Sequence, residues 1–267
     1  MTDLPRLLIL GNSHIAAPRM AYVSSPEDWP FWDVDFLGLL AGNIGRLHVR
    51  DGVLVPDTDE VAAEMKFYNL VRELDIGEYD AFAVVGGFGW RGMAAICADH
   101  RSKEFPSMHA GAMHGQGQDC QLVSRDFLQE VLCSRVRNSP AGKLALRIAP
   151  LGKPVLMLPE PLPSAECDTP PGRFSDYSDM VRRQDGLHWR QCFQAAAVDV
   201  LGDSARIVFW PEIAQQDGVF TRPDLMRGAL RLSPHAQEPQ PETDYAHGNQ
   251  DYGRLVLDQI MAALPGG

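Results

Sequence analysis

The chain has 267 residues, 45% of them hydrophobic and 22% charged, a profile that excludes intrinsic disorder and supplies enough apolar material for a buried core. Acidic residues outnumber basic ones 35 to 24, and a net charge of -11 leaves no basic stripe for a phosphate backbone, so nucleic acid is not an expected partner. Five scattered cysteines, Cys97, Cys120, Cys133, Cys167 and Cys192, form no CxxC pair, which argues against a disulfide frame or zinc knuckle, and nothing adjacent marks any of them as a nucleophile.

The N-terminus reads MTDLPRLLILGNSH. Its apolar run is short and its flank acidic, so it fits neither a signal peptide nor a membrane span, and the expected location is cytoplasmic. Residues 7–10 form a continuous apolar run ending at Gly11, the pattern of a buried parallel strand, and a helix is predicted from His14 onward with Pro18 in its first turns. Residues 32–37 give a second strand. RLHVRDGVLV reads as a hairpin about an Asp51-Gly52 turn, an expected insertion at 45–56.

A Thr58 cap followed by Val61, Met65, Tyr68, Leu70 and Val71 predicts an amphipathic helix over 58–74, leading into a third strand at Ala81–Val85. Next come a helix over 124–136, a strand at Val155–Leu158 closed by PEPLP, a helix through 189–200 and a strand at 207–209. Asn249 is placed to cap a last helix over 250–264. Five apolar runs separated by helical stretches, with no internal repeat, predict one α/β domain over 1–267: a doubly wound sandwich on a five-stranded, mainly parallel sheet. Long irregular stretches at 98–122 and 211–248 are candidate functional loops. In such sheets ligands sit beyond the carboxyl ends of the strands, where GNS, GGFG and the second loop converge.

Ser13 directly follows the first strand and opens the first helix, a position where the helix dipole and free N–H groups stabilise an oxyanion, although a helix-capping role accounts for a serine there equally well. Asp244 precedes His247 by three residues just before the last helix. That spacing lets a carboxylate hold one imidazole nitrogen and free the other to accept a proton, but D-x-x-H is also common in solvated loops.

Taken together, GNSH and DYAH, with HGNQDYGRLVLDQI after them, resemble the blocks of the SGNH/GDSL hydrolase family. There a serine follows the first strand and a D-x-x-H block precedes the last helix. The resemblance spans the element order of nearly the whole chain and implies a flavodoxin-like fold with Ser13, Asp244 and His247 as a catalytic triad. It also implies an oxyanion hole built from the serine amide, a glycine amide and an asparagine side chain. Gly42 is the best match for the glycine, while Phe88 occupies the asparagine position, so Asn43, Asn12 or the Gly87 amide are the candidates for the third donor. The implied activity is hydrolysis of an ester, on a small molecule or an acylated carbohydrate, with no metal or cofactor required. An O-acyltransferase acting on a sugar and a catalytically degenerate binding protein are the alternatives.

Other groups carry weaker signals. His100, His109 and His114, near Asp99, Asp119 and Cys120, have spacings that match no compact metal pattern and fit a lid with exposed histidines. GGFGWRG lacks the Lys-Ser/Thr ending of a phosphate-binding loop and is read as close backbone packing. His14 is expected to pack or lie at the surface, since adjacent helix positions point in different directions. Glu160 and Glu212 follow strands and are read as solvated loop acids that could also position a substrate hydroxyl.

Overall fold

A computed structural model describes residues 4–109, 120–167, 172–233 and 238–265. Five apolar segments form its central sheet: β1 (Arg6–Gly11), β2 (Asp33–Gly38), β3 (Ala81–Val85), β4 (Val155–Leu158) and β5 (Arg206–Ile207). All pair in parallel, in the order β5-β4-β3-β1-β2, the strand order of flavodoxin-type sheets. The sheet is thus wholly rather than mainly parallel. Gly11 is in register with both Gly38 and Val85, and Val85 with Leu158, so these strands end at one edge.

Near-continuous apolar strands are what a sheet covered on both sides demands. Leu8, Leu10, Phe82, Val84 and Met157 face one core, and Leu7, Ile9, Ala81, Ala83 and Leu156 face another. The second core is closed by α1 (Ala16–Ser24) and the C-terminal helix Gln250–Ala263. On the opposite side lie α2 (Asp59–Asn69), α3 (Trp90–Asp99), α4 (Arg125–Asn138), α5 (Pro140–Ile148), α6 (Ser175–Arg182) and α7 (Gly186–Leu201). The C-terminal helix is α8 below.

Several boundaries differ from the sequence reading. The helix predicted over 58–74 stops at Asn69, whose side-chain amide accepts from the Gly38 N–H at 2.8 Å and donates to the Gly38 carbonyl at 2.9 Å, leaving Leu70 in a left-handed conformation (φ 62°). Pairing with the end of β2 thus overrides the helical periodicity. Helices α3, α5 and α6 lie where no helix was expected. For α5 the signal was present, because Ser139 caps it, accepting from the Gly142 N–H at 3.0 Å, and Pro140 fills its first position. The last strand is only two residues long.

The hairpin forms as expected, Leu47–Arg50 against Val53–Pro56, with positive φ at both Asp51 (49°) and Gly52 (81°), and Leu74–Asp75 adds a third strand to it. Within the expected loop at 98–122, His100–Arg101 pairs in parallel with Gln121–Leu122. The stretch 211–248 carries short 3-10 turns and a small hairpin, Gln215–Gln216 with Phe220–Thr221. No helix among the described residues is long and apolar enough to cross a membrane. Among the described residues no disulfide links the cysteines.

Candidate active site

Asn12, not Ser13, caps the turn after β1. Its side-chain oxygen accepts from the His14 N–H at 3.2 Å, and a 3-10 turn, Ser13–Ile15, runs into α1. The Ser13 hydroxyl is therefore free of capping, at the carboxyl edge of the sheet and at the start of a helical segment. Far away in sequence, the segment before α8 is held to the same edge. The Ser164 N–H donates to the Tyr245 carbonyl at 2.8 Å, while Asn249 caps α8 and donates from its side chain to the Asp224 and Arg227 carbonyls.

These anchors bring His247 to Ser13. The Ser13 Oγ lies 2.9 Å from His247 Nε2, and His247 Nδ1 lies 2.8 Å from Asp244 Oδ2. The other Asp244 oxygen accepts from the Ala246 and His247 N–H groups at 2.8 and 3.2 Å, so the carboxylate is fixed from both sides. Burial alone would raise the Asp244 carboxyl, but the bond to His247, the imidazole charge, the Ala246 amide and Arg173 together hold it well below the usual carboxylate range. It is ionised at neutral pH and stabilises an imidazolium on His247. The three side chains predicted to act together are thus assembled in the geometry that moves a serine proton to an imidazole.

His14 belongs to this cluster, a contact that the sequence reading missed. Its ring stacks on that of His247 with centroids 4.5 Å apart and planes 21° from parallel. Its side chain is only 8% exposed, and burial, followed by the proximity of His247, pushes its titration well below the ordinary imidazole value. His14 therefore remains neutral and gives the face of His247 an uncharged support. Glu160 was read as a solvated acid, yet its side chain is 18% exposed and reaches inward, 3.8 Å from His14 Nε2 and 3.5 Å from the Asn12 side-chain nitrogen. Burial pushes its carboxyl up, against the opposing pull of Arg91, Asn12, His247 and the Gly87 amide. Adjacency could have found His14. Glu160 stood out in the sequence only as an acid following a strand, and it reaches the site because β4 lies beside β3. Glu212 is exposed.

The expected oxyanion donors fall in different places. The Ser13 and Gly42 amides donate to no protein acceptor among the described residues and are available. Asn43 is not, because its side chain donates to Glu64 at 2.7 Å. The Asn12 side chain donates to Glu160 at 3.5 Å, while the Gly87 amide helps to pull the Glu160 carboxyl down. Phe88 brings no side-chain donor to the site. Its ring is 3% exposed and stacks on Phe193 in the core, with centroids 5.6 Å apart. Gly86 and Gly87 make this turn at φ 73° and 71°, and a Cβ on Gly86 would meet the Asn12 side chain at 2.3 Å.

No protein-family model and no curated protein matches the chain. Among the described residues no group of three or more His, Cys, Asp or Glu side chains could hold a metal ion, while His114 and Asp119 lie outside them.

Proposed function

We propose that the chain is a serine-dependent ester hydrolase of the SGNH/GDSL type, with a small-molecule or carbohydrate ester as substrate. One observation carries the reading: Ser13, His247 and Asp244 form a continuous hydrogen-bonded relay at 2.9 and 2.8 Å although more than two hundred residues separate its ends. Ser13 Oγ attacks the acyl carbonyl carbon while His247 Nε2 takes its proton. The Ser13 amide and, as the family resemblance implies, the Gly42 amide would donate to the oxyanion. The bond to the leaving alcohol then breaks, His247 returns the proton to that oxygen, and water, activated by the same imidazole, releases the acid from Ser13. A sugar hydroxyl in place of water would make the second step an acyl transfer.

A binding protein without turnover is the second reading, favoured by the carboxylates that hold the Asn43 and Asn12 side chains, two of the three candidates for the third donor. A fluorophosphonate probe separates the two. It should label the wild-type chain and not Ser13→Ala, because only a base-activated serine attacks it at useful speed. Absence of labelling in the wild type favours the binding protein, and labelling that survives the substitution removes Ser13 from the mechanism.

A further inference from the structure

A cavity of about 230 Å³ adjoins the candidate site. It opens between the start of α3 and the junction of α4 with α5, and its lining includes Gly89, Arg91, Arg135, Ser139, Pro140 and Glu160. Glu160 is the shared wall, since the same side chain touches Asn12 and approaches His14. Helices α3 and α5 begin at this cavity while α4 ends there, so two positive dipole ends face one negative end.

Arg6, Arg46, Arg222, Arg227 and Arg254 each pair with an acid. Arg91 and Arg135 form no ion pair or hydrogen bond among the described residues, and Arg91 instead rests over the Trp90 ring at 5.5 Å. A third guanidinium, Arg173, lies over Phe174 at 4.9 Å and feels Arg91, Asp244 and Glu160. In the lining, two guanidinium groups face one carboxylate, that of Glu160, a surplus of positive charge that a bound anion would neutralise.

We propose that this cavity is an anion subsite, in which Arg91 and Arg135 hold a carboxylate, sulfate or phosphate group of the substrate beside the ester presented to Ser13. Which bond is cleaved rests on the hydrolase reading, whereas anion binding does not. Guanidinium groups suit such a ligand because their planar forks pair with two oxygens at once. Glu160 forms the inner wall, and burial raises its carboxyl, which lessens its repulsion of an anion.

Calorimetric titration of the wild-type chain with galacturonate, galactose 6-sulfate, galactose 6-phosphate and galactose tests the subsite and distinguishes the kinds of anion. At least one anionic sugar should bind about tenfold or more tighter than galactose, as a charged hydrogen-bond pair at a partly exposed site implies. That margin should vanish in the Arg91→Gln/Arg135→Gln double variant, which should keep the wild-type rate on a neutral ester, and it should shrink with added salt. Equal binding of all four sugars, or a margin that persists in the double variant, overturns the subsite. Anion binding that depends on the arginines, in a chain that cleaves no ester, leaves the subsite standing and overturns the hydrolase reading instead.

Discussion

Asp244→Asn isolates the orienting role of the carboxylate from its size. One oxygen of Asp244 accepts two backbone N–H groups, at 2.8 and 3.2 Å, and the other meets His247 Nδ1 at 2.8 Å. An asparagine in this place must keep its oxygen on the two N–H donors, because turning its NH2 group toward them would forfeit both bonds, on the order of 1–3 kcal/mol each. The NH2 group then faces Nδ1, which becomes an acceptor, and the ring proton moves to Nε2, where it points at Ser13. An imidazole in that tautomer cannot take the serine proton. The expected loss in kcat is about ten-thousandfold, close to 5.5 kcal/mol, as the same exchange causes in Ser-His-Asp proteases, with KM little changed. Steady-state hydrolysis of 4-nitrophenyl acetate measures it, with circular dichroism establishing that the variant is folded. A folded variant that loses less than about tenfold in kcat would refute the relay.

Three further outcomes are expected. In Gly253→Ala a Cβ would meet the Ala17 carbonyl oxygen at 2.2 Å, so α8 is forced off α1, lowering stability by about 1–3 kcal/mol or more and activity with it as His247 leaves Ser13; an unchanged melting temperature counts against this packing. Glu160 titrates higher folded than unfolded, so its ionisation costs stability as pH rises above the ordinary carboxylate range, and Glu160→Gln removes that cost. The melting temperature of the variant relative to wild type should therefore climb between about pH 4 and pH 7, and a constant difference contradicts the burial argument. His247→Ala should lower ester hydrolysis by about a hundred- to ten-thousandfold, and a folded variant that keeps the wild-type rate removes His247 as the base.

How much was legible in the sequence depended on how local the cause was. The strands at residues 7–10, Ala81–Val85 and Val155–Leu158 could be read because a sheet buried on both faces leaves an uninterrupted apolar run, and the Asp51-Gly52 turn because a tight hairpin needs positive φ. Caps at Thr58 and Asn249 were legible for the same reason, since each side chain bonds a backbone amide three residues on. Ser13 and the Asp244/His247 turn were visible as two separate motifs, each with an ordinary structural explanation of its own. Their union is a tertiary fact. It depends on β1 lying beside β3, on α8 packing closely against α1 at Gly253, and on the tie between Ser164 and Tyr245.

The early end of α2, the stacking of His14 on His247 and the inward turn of Glu160 were likewise decided between segments distant in sequence. The sequence by itself determined the strands, the caps and the residue types able to carry the chemistry, because hydrophobic periodicity and capping act over a few residues. Which amides remain free for an oxyanion, and which acids are taken out of water, was decided only by the tertiary structure, because desolvation and the partners of each polar group are set by whatever packs beside it.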